Sequence, residues 1–468
     1  MTRARDLADG ADKDITGTLT TDGLTVAGNV SVDGGTIKLD GNYPTGSGNV
    51  ALGNTALDDG SLSGANNTAV GSGALTVNTS GAANTAVGSL ALDANTTGDF
   101  NSAFGVNALS TNTTADGNSA YGYQALYSNT TGANNVSVGV NSLFANTTAS
   151  NNTAAGYAAL TANTTGANNT ATGTLALDAN TTGSNNTALG YASLTASTTS
   201  NNNVGIGFHS LLANTTGAQN TAAGSQALLT CSTGYNNNAV GMNSLKVTTT
   251  GHSNNGVGYA TLVNNTTGAA NVAIGDSALI NNTTGSSNTA MGNSANNVTT
   301  TGENNTMIGT LCRASSSSVS NEVVLGSNGM VGKGGSTAFI SGGNGPVYAG
   351  NNSSNFSTTS DRRIKKNIED NNTGLDAISQ VRVCSFEYRT ADEIDELPAS
   401  AAIDKQGVQL GVIAQEIQEI LPDMIREEST GCLSVDPENM TWYLVNAVKE
   451  LSAKNDALEA RIATLESG

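Results

Sequence analysis

The chain of 468 residues carries a formal net charge of −19, with 12% charged and 4% aromatic residues, 56 glycines and one tryptophan. That acidity disfavours nucleic acid and membrane insertion or anionic membrane as partners, and so few aromatics exclude a set of thick-cored globular domains. Cys231, Cys312, Cys384 and Cys432 are far apart with no CxxC pair, and His209 and His252 stand alone, so neither metal nor cofactor is expected.

Residues 1–50 form a separate piece. The start, MTRARDLADGADKDITG, has no apolar stretch of the kind a signal peptide needs, which disfavours export by a secretory route. Short alternating segments around Leu24–Val26, Val30–Val32 and Thr36–Leu39 then read as β segments leading into the next region. The extreme N-terminus is the expected attachment end.

From residue 51 to 341 the chain repeats. Sixteen glycines, Gly71 to Gly326, stand seventeen residues apart; asparagine lies four before in fifteen copies from Asn67, and leucine four after in thirteen copies from Leu75. A period held this long is one small unit stacked on itself. Seventeen residues are too few for a helix pair, and the Asn, Thr and Gly density argues against helix, so each unit is predicted to be one coil of a β-solenoid. Glycine turns the chain where φ is positive or backbones approach, Asn-Thr-Thr-Gly makes an outer turn, and Asn and Thr ladders with a narrow stripe of Leu, Val and Ile hold coils together. The spacing between coils is about 4.8 Å. A thin core of Ala and Leu makes association with further copies of the chain a natural supplement. No Lys or Arg occurs between Lys38 and Lys246, which leaves this region weakly acidic.

The period lapses over residues 342–359, a Ser/Asn/Gly-rich linker. After it the composition shifts: eleven of the eighteen Lys and Arg residues lie from Arg362 onward, and helical patterning begins. Residues 411–421 read as a helix stopped by Pro422. Within residues 440–468, Leu444, Val448, Leu451, Asn455, Leu458, Ile462 and Leu465 follow a 4-3 spacing, a coiled-coil seam with one polar Asn, which favours self-association without fixing the number of strands.

One segment has reactive character. In Ser360-Asp361-Arg362-Arg363-Ile364-Lys365-Lys366-Asn367-Ile368, a serine stands five residues before a lysine flanked by further cations. Serine attacks well only when a neighbour takes its proton, and a lysine does so when burial or positive charge weakens its hold on a proton. Ser/Lys pairs are an alternative to the Ser/His/Asp triad.

The stretch S-D-x-R-x-K-x-N-I, followed by Phe386-Glu387-Tyr388, G-V-I-A-Q-E-I-Q, Leu433-Ser434-Val435-Asp436 and a terminal K-E-L-S helix, resembles the C-terminal intramolecular chaperone domain of phage tailspikes and tail fibres, including endosialidases. The resemblance implies an α+β chaperone domain over residues 360–468 that guides a homotrimer and then cuts itself off, with Ser360 as nucleophile and Lys365 as its base. The cut adjoins Ser360, on either side of it. The repeat, more weakly, resembles the head units of trimeric autotransporter adhesins, although those units are shorter. Together these imply a mainly β protein: a trimeric β-solenoid shaft on a phage virion, N-terminus held by other virion proteins, with a host surface glycan or protein as a further partner and an adhesive role. A head-decorating fibre, a passive spacer, a secreted adhesin, an ice-binding solenoid and a polysaccharide-degrading spike remain the alternatives. Catalysis on an external substrate is not expected, because the acids are scattered and the tyrosines follow the repeat.

Overall fold

The computed structural model describes residues 47–326, 329–341, 347–350, 362–394, 403, 405–427, 431–437 and 439–467. The expected N-terminal β segments, most of the linker and Ser360 lie outside these residues; within the expected linker, Val347–Gly350 form a strand that pairs with the end of the shaft instead. The chain divides into two compact units, Met1–Thr358 and Thr359–Gly468.

The first unit is a parallel β-solenoid. After β1 (Val50–Leu52), three-residue strands recur every seventeen residues from β2 (Thr68–Val70) to Thr306–Ile308, followed by β17 (Val323–Gly326). Each pairs in parallel with the next in constant register, so that Ala69 faces Ala86 and Ala86 faces Ala103. β18 (Thr337–Ser341) continues the parallel stack and β19 (Val347–Gly350) pairs antiparallel with it.

Alternation within so short a strand decides which residue enters the core. The middle one does: Ala69, Ala86, Ala103 and their equivalents are fully buried, together with Ala74 and Leu75 of the following turn and their equivalents. The Val and Ile that precede each glycine were expected to share the stripe that joins the coils. Instead they project outward, exposed by 40% at Ile206 and 37% at Ile274. Period-two geometry permits no other outcome once the small residue is inside. The expected outer turn is also corrected: its Asn and Gly, as at Asn129 and Gly132, point inward, and only the second Thr, such as Thr131, is exposed.

The coil closes through left-handed backbone. From Gly71 to Gly309 the strand-end glycines have φ between 123° and 144°, and the leucines from Leu75 to Leu279 have φ between 49° and 56°. A left-handed non-glycine residue costs about 1–2 kcal/mol, close to the roughly 1.5–3 kcal/mol gained by burying a leucine. With so thin an apolar margin, the side-chain hydrogen bonds matter. Asn118 donates to the Gly132 carbonyl at 2.9 Å and accepts from the backbone N–H of Asn135 at 2.9 Å. A second buried column meets the same carbonyl: Asn129 Nδ2 donates to Gly132 at 2.9 Å and to Asn112 Oδ1 at 3.0 Å. Thr130 Oγ1 reaches the Thr147 carbonyl one coil on, at 3.1 Å.

The second column is interrupted where Ser197, Cys231, Thr248 and Thr299 replace asparagine. The preceding side-chain oxygens of Asn180, Asn214 and Asn282 are then buried without a donor, as is the Thr248 hydroxyl without a partner. Burial pushes the Cys231 thiol up to about 12, so it remains a weak neutral donor, its Sγ 3.6 Å from the Gly234 carbonyl. Cys231→Asn is expected to give Asn214 its donor and Thr248 an acceptor, stabilising the unit by about 1–2 kcal/mol. The midpoint of urea unfolding should rise; an unchanged or lower midpoint would show that the column contributes nothing there.

The second unit contains α1 (Leu375–Ile378), β20 (Cys384–Phe386), β21 (Gln409–Gly411), α2 (Ala414–Ile420), β22 (Ile425–Glu427), β23 (Leu433–Val435) and α3 (Met440–Glu466). β20 and β21 form one antiparallel pair, and β22 and β23 another. The helix expected from residue 411 starts three residues later, because Gly411 is held in β21 opposite Cys384 and Ile413 remains extended. It ends before Pro422 as expected.

Candidate functional site

Arg362–Ile364 make a single 3-10 turn, closed by the Lys365 N–H donating to the Arg362 carbonyl at 3.2 Å. Arg362, Arg363, Lys365 and Lys366 are all exposed, and Asn367 turns the chain with φ 54°. The turn thus gathers four cationic side chains on a solvated segment directly after Ser360. Lys365 belongs to this cluster; the distance to Ser360 lies outside the described residues. Desolvation of Lys365 would have to come from those residues or from another copy of the chain.

The second unit has a small core. Ile417, Leu421, Met424 and Tyr443 are buried together, with Val381, Ile425 and Val435 packed against them. α2 supplies Ile417 to that core and presents Glu416 outward, where Arg382 grips its carboxylate in a two-pronged ion pair, Nε donating to Oε2 at 2.9 Å. The guanidinium holds Glu416 below the usual carboxylate range, and Glu416 raises Arg382 in turn. Both groups are exposed, so the pair fixes orientation more than it adds stability. Phe386 and Tyr388 meet edge to face at 5.3 Å beside β20.

The first turns of α3 act as a clamp. Tyr443 donates its hydroxyl to Asp423 Oδ2 at 2.5 Å and Asn439 Nδ2 donates to the same oxygen at 3.0 Å. Burial, then the bond to Asp423, pushes the Tyr443 phenol up to about 12, so it stays a donor through neutral pH. Asn446 donates to the Asn371 and Thr373 carbonyls at 2.8 and 3.2 Å, and Glu450 accepts the Leu375 N–H at 3.0 Å, capping α1. Asn371, Asp423, Asn439, Trp442, Tyr443 and Asn446 line a cavity of about 240 Å³. Its carboxylate is already engaged by two donors, and its lining contains no nucleophile paired with a base. Among the described residues no group of three or more His, Cys, Asp and Glu could hold a metal ion, and no helix is long and apolar enough to cross a membrane.

Sequence reasoning missed this clamp and the Arg382–Glu416 pair. The partners are 20 and 34 residues apart, between elements of different type, and no periodicity links them. The seam of α3 was legible: Leu444, Val448, Leu451, Leu458, Ile462 and Leu465 fall on one helix, and all are exposed, from 45% at Leu444 to 79% at Leu465.

Residues 360–426 match the family model of the S74 peptidases described as chaperone of endosialidase. The match begins at Ser360 and takes in the cationic turn, the β20–β21 pair and α2; α3 follows it.

Proposed function

We propose that the chain is a fibre protein of a phage virion whose repeat region forms a host-contacting shaft in a homotrimer, and whose C-terminal unit is the trimer's intramolecular chaperone. The observation that carries this reading is the position of the chaperone-of-endosialidase match, which follows a solenoid of identical coils and precedes a helix with an uncovered heptad seam. Identical coils pair as well one step out of register as in it, so a shaft of this kind needs its copies aligned from one end. The seam on α3 supplies that end when it finds its counterparts on other copies.

In the same proposal the unit then releases itself. Ser360 Oγ attacks the adjoining Thr359 carbonyl carbon and its proton passes through Lys365 to the departing Ser360 nitrogen. An ester remains, and water hydrolyses it to leave a carboxylate on the shaft.

Full-length wild type, Ser360→Ala and Lys365→Ala, together with a chain lacking residues 360–468, test both parts. Mass spectrometry is expected to find a fragment beginning at residue 360 from wild type alone, and light scattering is expected to show heterogeneous aggregates from the truncated chain. Cleavage of either variant at the wild-type rate removes the dyad. A truncated chain that assembles as uniformly as the full one removes the chaperone role.

A further inference from the structure

The outward side of the solenoid's strands is not an ordinary surface. The residues just before and just after each strand-end glycine form two parallel columns, and in many coils both are large and apolar: Tyr121 and Tyr123, Ile206 and Phe208, Val240 and Met242. Their exposures run from 39% at Val240 to 49% at Tyr123 and Met242. These side chains touch from coil to coil. Phe104 and Tyr121 stack at 4.9 Å and 6°, and Tyr191 and Phe208 at 5.7 Å and 14°. The result is a face of apolar runs several coils long, broken at Thr172 and Thr174 and at Ala223 and Ser225, rather than scattered exposed residues, which are commonplace.

Charge is kept off this face. Asp58, Asp59, Asp93, Asp99, Asp116 and Asp178 all fall five, six or eleven residues after a strand-end glycine, on other sides of the coil; Asp276 is the exception, one residue after Gly275. Eighteen exposed large apolar residues occupy the two columns between Leu52 and Ile308. At roughly 80 Å² of exposed surface each, about half of what an aromatic residue buries, they offer on the order of 1,400 Å². A stable interface needs about 800 Å² from each partner.

We infer that this two-column face is where the shafts of separate copies of this chain pack on one another. The occupant is a second copy because the same chain carries, on α3, an uncovered heptad seam that joins copies in parallel, and joined copies present this face to one another at high effective concentration. The face is also self-complementary in spacing, since every copy repeats it at the same interval. The inference rests on the self-association proposed above and adds which surface of the shaft takes part.

Single cysteines in the full-length chain, in a background of Cys384→Ser and Cys432→Ser, test it. Val106→Cys, Val140→Cys and Met242→Cys sit on the face; Thr97→Cys, Thr131→Cys and Thr233→Cys are exposed controls on another side of the coil. Under mild oxidation at least one of the first three is expected to give covalent dimer several-fold faster than every control, with light scattering read on the same samples. If the samples are oligomeric but face and control cysteines cross-link alike, the face is not the interface, while self-association stands. If they are monomeric, both the inference and the self-association it rests on fall. Circular dichroism of each variant confirms that the solenoid is intact.

Discussion

Gly190→Ala is expected to destabilise the solenoid by about 3–5 kcal/mol, although it adds a single methyl group. Gly190 has φ 138°, a conformation that L side chains rarely adopt, and a Cβ there would lie 2.6 Å from the carbonyl oxygen of Gly207 in the next coil. That oxygen is backbone, so relieving the contact means shifting the next coil. The contrast within each coil sharpens the point. Ten residues further on a second buried glycine column runs through Gly132 and Gly166, yet Ala115, Ala149 and Ser200 stand in it. A Cβ there would meet a backbone oxygen at least as closely, 2.2 Å from the Ala149 carbonyl at Gly132, but the backbone has no positive φ, and a small side chain is accommodated by a shift of the neighbouring coil. The strand-end column, with both obstacles, holds glycine without exception from Gly71 to Gly326. Urea unfolding should place Gly190→Ala far below wild type. Gly60→Ala, where a Cβ meets nothing within 4 Å, should stay within about 0.5 kcal/mol. Equal midpoints for the two variants would mean that the coils are not as closely stacked as described.

Asn129→Asp should be as damaging at neutral pH, and selectively so. The Asn129 side chain is fully buried, donating to Asn112 Oδ1 and the Gly132 carbonyl and accepting from Asn146 Nδ2 at 2.9 Å. An aspartate keeps the acceptor but sets a second carboxylate oxygen against two oxygens that lose their donor. Burying that charge without a counter-ion costs about 3–5 kcal/mol. The sign of the pH dependence follows. Burial raises the folded-state carboxyl above the roughly 3.9 of the unfolded chain, so the charge penalty is absent below about 3.9, grows as pH rises and is complete above the folded-state value. Acid also restores one donor through the carboxylic O–H. The deficit of Asn129→Asp relative to wild type should therefore shrink from pH 8 to pH 4. That of Asn129→Ala, measured by the same urea titrations, should stay constant. A deficit for the aspartate variant that does not move between those pH values would contradict the buried position of the column.

How much was legible in the sequence depended on whether the cause was local. The seventeen-residue period, the turn glycines and the Asn and Thr ladders are dictated coil by coil, so repetition alone displays them. The heptad on α3 is visible for the same reason, as helical spacing within one element. The facing of the strand was not legible, because a three-residue strand with a small residue in the middle can bury either its centre or its flanks. The core volume decides, and only a small residue, alanine in most coils and Ser137, Gly205 or Gly256 in others, fits opposite the left-handed leucines. α2 was drawn three residues too long at its start, since Gly411-Val412-Ile413 suits either state locally and the pairing of Gly411 with Cys384 is a contact across 27 residues. In the candidate site, the cationic run around Lys365 was readable from sequence but not the exposed 3-10 turn that carries it, and the bonds of Tyr443, Asn439, Asn446 and Glu450 that pin distant segments to α3 exist only through tertiary folding.

The buried amide column also gives the solenoid a mechanical gradient. From Asn78 to Asn180 every coil is bridged to the next by a side-chain amide, while all four interruptions, at Ser197, Cys231, Thr248 and Thr299, lie beyond it. Under axial tension a stack of coils peels one unit at a time, each freeing roughly 55 Å of extended chain in place of about 4.8 Å of stack. Boundaries that lack the amide yield first, so the stretch nearer the N-terminus is the stiff segment and the stretch nearer the C-terminal unit is the compliant one. A tether built this way absorbs a sudden pull by paying out chain at its interrupted end, while the rest keeps its register.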